Sequence, residues 1–243
     1  MQAAFTAREL FLAYQPIVAL HEGECVGAEA LLRWRRAGWV LEAAEFMPLT
    51  DRTPLSGTLT YWVIDTVAHD LGDWLGSHER ARIGINIPPE ILGRGGIEYA
   101  AVKSGLRERA KQLILEVTER GIPDELGLAA LNGISETGAR VALDDMTLSG
   151  ANLALLTRCR FDLVKIDQAL VAQLAADRPA PEWLDGLAAL LHATPLEVVA
   201  EGVETEYQAR ALRAAGVQLA QGHYFAEALS ADEFKTFYDA RAA

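Results

Sequence analysis

Two adjacent carboxylates, Asp144 and Asp145, close the apolar run "RVALDD", and other polar residues sit in comparable places along the chain. Glu29 interrupts "VGAEALL", Asn86 ends "IGIN", Glu116 falls in "ILEV", Lys165 lies in "LVKI", Glu201 ends "VVAE" and Gln221 follows "QLA". If the runs are strands sharing one barrel, these groups meet on one rim. Five acids then face a single cation, Lys165, and bound cations are the natural compensation for such like charge. The histidines at 21, 69, 78, 192 and 223 share no ligand spacing and read as surface or core residues. An oxygen-only donor set points to Mg²⁺, Mn²⁺ or Ca²⁺ in preference to zinc or copper. A strand-end Asp pair can bridge two ions ~4 Å apart, a geometry suited to activating water for phosphodiester displacement. The same rim would also serve Mg²⁺-assisted proton abstraction from a carboxylate substrate. Lys165 would position the water or offset charge. Arg33, four residues after Glu29 and on the same strand face, is placed to grip a phosphate or to pair with Glu29.

The elements that must position these residues follow from periodicity. Short apolar runs alternate with amphipathic segments at 56–75, 124–137, 181–194 and 205–215, which implies βα units and a parallel sheet. About eight strands in 243 residues predict an α/β fold, a TIM-like (β/α)₈ barrel, whose active sites gather at the C-terminal ends of the strands. The first two runs, separated only by "HEGE", predict a hairpin that makes the opening strands irregular or antiparallel. No linker or composition shift divides the chain, so one domain over 1–243 is expected. Trp34, Trp39, Tyr61 and Trp62 read as core packing.

Composition narrows the partners. The formal net charge of −12 disfavours a DNA or RNA polymer as ligand. Two unpaired cysteines, Cys25 and Cys159, suggest a reduced, cytoplasmic compartment. No stretch has the ~20 apolar residues of a membrane span, and the N-terminus does not read as a signal peptide.

Taken in order, "YQPI" (14–17), "EALLRW" (29–34), "EFMPL" (45–49), "INIPPEIL" (85–92), "LEVTE" (115–119), "LDD" (143–145), "VKID" (164–167), "VAEGVET" (199–205) and "QGHYF" (221–225) resemble the EAL-domain phosphodiesterases, which linearise cyclic di-GMP. The resemblance implies metal ligation by Glu29, Asn86, Glu116, Asp144 and Asp145. It implies that Lys165, Glu201 and Gln221 complete the catalytic site, that Gln15, Leu31 and Arg33 hold the dinucleotide, and that Glu119 and Glu204 anchor the loop after the Asp pair. It further implies Mg²⁺ or Mn²⁺ as cofactor with Ca²⁺ inhibitory, linear pGpG as product, a homodimer, and a sensor or GGDEF-like domain outside the sequence. Where the family reads "DDFGTGYSSL" this chain reads "DDMTLSGANL", with Thr147 and Ser149 in place of two glycines, and no proline follows "QGHYF". These departures support an alternative, a weak or inactive EAL domain acting as a cyclic di-GMP receptor or protein-interaction module.

Overall fold

The structure, a computed structural model, describes residues 9–50, 53–118, 123–147, 156, 158–178 and 180–241. Among these residues there are nine strands: β1 (Leu10–Ala19), β2 (Cys25–Arg36), β3 (Trp39–Glu42), β4 (Arg82–Asn86), β5 (Leu113–Thr118), β6 (Arg140–Met146), β7 (Leu163–Ile166), β8 (Glu197–Ala200) and β9 (Leu219–Ala220). They hydrogen-bond in the order β1-β9-β8-β7-β6-β5-β4-β2-β3, and a further β1–β2 pairing closes eight of them into a barrel. The predicted TIM-like architecture is therefore present. β1 runs antiparallel to both neighbours, β2 and β9, as the short "HEGE" connection requires, whereas the pairs from β2–β4 through β8–β9 are parallel.

The expected amphipathic segments appear as α2 (Pro54–Ser77), α4 (Glu125–Ile134), α6 (Glu182–Ala193) and α7 (Glu206–Ala214). Their starts carry local signals: the Thr53 hydroxyl accepts from the Leu55 N–H ahead of Pro54, Asp124 accepts from the Gly127 N–H, and Thr205 and Gln208 form a capping box. Four helices were not anticipated: α1 (Ala43–Phe46), α3 (Gly96–Ser104), α5 (Gln168–Val171) and α8 (Ala231–Asp239). β3 was also unforeseen. It folds back on β2 through a two-residue turn at Ala37 and Gly38, both with positive φ (49° and 85°), the backbone that matches strand twist in a tight hairpin. This hairpin runs beyond the barrel, which corrects the reading of Trp39 as core: it is 76% exposed. Trp34 is buried, and Tyr61 and Trp62 pack partly buried against the core.

Side chains on a strand alternate between faces, and here the inward set is sorted by height. Ile17, Ala19, Ile114, Ala142, Leu163, Val199 and Leu219 pack together inside the barrel as an apolar floor. Two residues further along β5, β6 and β7 come Glu116, Asp144 and Lys165; two residues beyond the floor positions of β8 and β9 come Glu201 and Gln221. Period two thus lifts one polar group from each strand onto the floor's upper surface.

Candidate active site

Lys165 stands at the centre of this upper layer. Its ammonium lies 2.9 Å from Glu29, 2.8 Å from Glu116, 3.1 Å from Asp144 and 2.7 Å from Glu201. All but Glu201 are nearly inaccessible to solvent. Around them, the Asn86 amide donates to Glu29 Oε1 (2.7 Å), and the Gln221 amide donates to Glu29 Oε2 (2.7 Å) and Glu201 Oε1 (3.0 Å). The strand-end rule needs one correction. Glu29 lies in the interior of β2, because that strand continues past the rim into the β3 hairpin. Gly84 makes room for the cluster: a Cβ on it would come within 2.1 Å of Glu116 Oε1, so a strand-interior glycine is required where a neighbouring side chain crosses its backbone.

One cation among four carboxylates leaves the group short of positive charge, and the proton equilibria show it. Burial would discharge Lys165, but Asp144, Glu116, Glu201 and Glu29 outweigh it and hold the ammonium charged well beyond the ordinary lysine range. Burial likewise opposes ionisation of Glu29, but Lys165, with the Gln221 and Asn86 hydrogen bonds, brings its pKa below the usual value. Mutual repulsion therefore does not raise every acid. The excess falls on Glu116, pushed well above the carboxylate range by burial and by Glu29 and Asp144 against the pull of Lys165. It falls also on Glu201, which burial raises to about 8, with Asp144 and Glu29 adding and Lys165 opposing.

Adjacent residues of a regular strand point to opposite faces, yet Asp144 and Asp145 both serve the rim. The register explains this: Leu143 pairs with Val164 and Met146 with Ile166, so three steps on β6 match two on β7. This is a β-bulge at the Asp pair, with Asp145 in the left-handed region (φ 56°), which Asp tolerates better than most residues. The Asp145 N–H donates to Asp144 Oδ1 at 3.0 Å, fixing the turn from one carboxylate to the next.

Two carboxylate groups could hold a metal ion: Glu29, Glu116 and Asp144, all buried, and Asp144, Asp145 and Glu201, with ligand oxygens within 4.8 Å of one another in each. Asp144 belongs to both groups. The residues fit a hard divalent cation on independent grounds. The donor set is all oxygen, and Gln221 Oε1 is buried without a hydrogen-bond partner among the described residues, which a water held above the floor would satisfy. No histidine or cysteine joins a potential metal group among the described residues.

The remaining predicted residues divide. Gln15 is paired across from Glu29 on β1 and donates to the Ala226 carbonyl at 2.6 Å. Leu31 and Arg33 follow Glu29 at two-residue steps on the same face of β2. Arg33 does not pair with Glu29; its guanidinium lies 3.5 Å from Glu42 across the β2–β3 hairpin. Glu204 is exposed; its backbone N–H donates to Gln208 Oε1 at 2.8 Å, ahead of α7. Glu119, Leu148, Ser149 and Gly150 lie outside the described residues, and Thr147 is exposed. Gly84 and the Asp145 bulge were missed, although a glycine inside "RIGIN" and two consecutive polar residues at a strand end both carry that signal.

Comparison with known proteins gives a family match, two relatives and two solved structures. A family model described as "EAL domain" matches residues 1–228. The chain is 34% identical over 238 residues to the probable cyclic di-GMP phosphodiesterase PdeB of Escherichia coli K12, covering 96% of this chain and 45% of that protein. It is 32% identical to the cyclic di-GMP phosphodiesterase NbdA of Pseudomonas aeruginosa, over 94% of this chain and 30% of the relative, so it spans less than half the length of either. Among solved structures, the PaMucR phosphodiesterase in complex with c-di-GMP superposes with a TM-score of 0.85 at 30% identity, covering 96% of this chain and 97% of that one. The EAL enzyme Bd1971, bound to cAMP and cyclic di-GMP, superposes at 0.86 with 26% identity, over 98% of this chain and 66% of that one.

Proposed function

The chain belongs to the EAL domain family, and from that membership we propose that it is a metal-dependent phosphodiesterase that opens cyclic di-GMP to linear pGpG. The observation that carries the reading is the Lys165-centred cage above the barrel floor, with both potential metal groups sharing Asp144. Glu29, Asn86, Glu116, Asp144 and Asp145 would hold Mg²⁺ or Mn²⁺, with Glu201 beside the Asp pair. Bound there, the ions would supply Lewis-acid stabilisation of the phosphoryl oxygens and lower the pKa of a water.

The chain's own groups do the rest. Lys165 fixes the carboxylates at hydrogen-bonding distance and offsets their charge while staying buried. The Gln221 amide is oriented by donating to Glu29 and Glu201, so Oε1 is left to accept from the attacking water. Glu201, 2.7 Å from the Lys165 ammonium and accepting from the Gln221 amide, would complete the surroundings of that water. Gln15 and Leu31 line β1 and β2 beside Glu29 to seat the dinucleotide; Arg33 would leave Glu42, its partner 3.5 Å away, to meet a phosphate.

The same reading takes residues 1–243 as one barrel domain working as a homodimer in the cytoplasm, coupled to a sensor or GGDEF-like domain outside the sequence, with Glu119 and Glu204 anchoring the loop after the Asp pair. Among the described residues no helix is long and apolar enough to cross a membrane. A second reading, a cyclic di-GMP receptor with little turnover, draws on Thr147 and Ser149, which stand where the family has glycines. Incubation with cyclic di-GMP and Mg²⁺ or Mn²⁺ separates the two. The enzyme yields pGpG; saturable binding without product supports the receptor.

A further inference from the structure

Outside the barrel, on the opposite face of the strands that carry Asn86 and Glu116, lies a second cavity unconnected with phosphodiester chemistry. It has a volume of about 360 Å³ and sits between β4 and β5 and the helices α2, α3 and α4. Its inner wall is aliphatic, with Ile85 and Leu115 from the strands and Ile64 from α2. Its outer wall combines Ile97 and Ile134 with three small residues, Ala101 of α3 and Ala130 and Gly133 of α4. Gly133 has no steric reason to be glycine, since a Cβ there would meet nothing within 4 Å, and glycine inside a helix is destabilising relative to alanine. The cavity is partly open to solvent, its volume is within the range of small-ligand sites, and an apolar lining of this kind favours an apolar occupant over water.

Polar groups are confined to Glu98, Arg107 and Thr137. Arg107 Nε donates to Glu98 at 3.3 Å and Nη1 to the Thr137 carbonyl at 3.2 Å. Both charged side chains are substantially exposed, so Glu98 can yield to a competing anion at little cost. Arg107 Nη2 makes no hydrogen bond among the described residues. The arrangement is a greasy chamber with one guanidinium at its edge.

We propose that this cavity binds a single-chain amphiphile with one anionic head, a medium-chain carboxylate by chemical class, its tail against Ile85 and Leu115 and its head on Arg107. The volume admits about a dozen groups of water size at ~30 Å³ each, which matches a chain near ten carbons. The site lies behind the strands whose inner faces form the cage, so its occupant does not compete with a ligand at the barrel mouth.

The test is titration of the full chain with sodium decanoate, 1-decanol and sodium butyrate, following the thermal midpoint. Decanoate should raise the midpoint saturably, decanol less, and butyrate not at all. Ala101→Leu with Ala130→Leu, which adds six carbon groups and takes up about half of the chamber at ~30 Å³ each, should weaken the decanoate response at least tenfold. Arg107→Gln, a change at an exposed position that keeps the fold, should weaken decanoate several-fold and leave decanol unchanged. Added cyclic di-GMP should not displace decanoate. Absence of a saturable decanoate response in the wild-type chain, a response unchanged by the paired Leu substitutions, or equal loss of decanoate and decanol in Arg107→Gln would each overturn the proposal.

Discussion

The two potential metal groups share Asp144 and are otherwise built differently. The inner one, Glu29, Glu116 and Asp144, is buried, rests on the apolar floor and is held by Lys165, whose contacts to it span 2.8 to 3.1 Å. The outer one, Asp144, Asp145 and Glu201, is half open to solvent and depends on a bulge with one residue in the left-handed region. The difference shows how one constellation divides its tasks. Lys165 also reaches Asp144 and Glu201 of the outer group, so what sets that group apart is its partial exposure and the bulge at Asp145, which leave it the more open to exchange with solution.

The sharpest way to break this comparison is to remove the ions. Turnover of cyclic di-GMP should fall to background in excess chelator and return with Mg²⁺ or Mn²⁺. Ca²⁺ should bind and support little turnover, since its looser coordination places water poorly. Full activity in chelator would mean that the acids serve only the fold.

Next in size are two substitutions that separate charge from catalysis. Lys165→Met strands Glu29, Glu116, Asp144 and Glu201 without their buried cation, so stability should drop by about 3–5 kcal/mol, read from denaturant unfolding. Asp144→Asn removes one charge at nearly constant volume. It should cost roughly 10²–10³ in turnover while the unfolding midpoint moves little. Should both variants lose stability equally, Asp144 belongs to the scaffold as much as Lys165 does.

Much of the inner group was legible because it obeys period two. In "ILEV", "VALD" and "LVKI" a polar residue stands two places after an apolar one, and the structure shows those apolar residues, Ile114, Ala142 and Leu163, as the floor. The outer group was less legible because it breaks that period: nothing in an alternation rule lets Asp145 share a face with Asp144. Arg33 was placed on the correct face of β2; of its two expected partners, a phosphate or Glu29, the Glu29 pairing is not formed, because the Ala37–Gly38 turn, which was not read as a hairpin, brings Glu42 to it. The cavity behind Ile85 and Leu115 left no sequence signal. It arises from what three helices fail to fill, which depends on their packing and not on any run of residues.

A smaller effect tests the bulge. Asp145→Asn keeps a side chain that tolerates positive φ and deletes one charge from the outer group. It should raise the Mn²⁺ concentration needed for half-maximal turnover about tenfold, a loss of one charged ligand interaction, with an unchanged thermal midpoint. Asp145→Val should add a stability loss of roughly 1–2 kcal/mol, because a β-branched residue resists the left-handed region. If the Asn variant shows no shift in metal dependence, the outer group holds no catalytic ion.

The smallest expected effect lies in the pH dependence of the metal-free chain. Glu116 and Glu201 have folded-state pKa values above their ordinary ones, Glu201 at about 8 against 4.5. Between those limits the folded chain binds more protons than the unfolded chain, so stability falls as pH rises. The contribution is complete below the unfolded value and lost as pH climbs through the folded one. In chelator, the thermal midpoint should therefore decline from pH 5 to pH 8 by several degrees, at roughly 2–4 °C per kcal/mol for a chain of this size. Saturating Mg²⁺ should flatten the decline, because an ion replaces the protons that the carboxylates otherwise need. Asp144→Asn should flatten it partly as well, since Asp144 is one of the charges that raise both groups. A midpoint that holds level from pH 5 to pH 8 in chelator would show that Lys165 alone balances the cage, and that Glu116 and Glu201 carry no proton for a metal to displace.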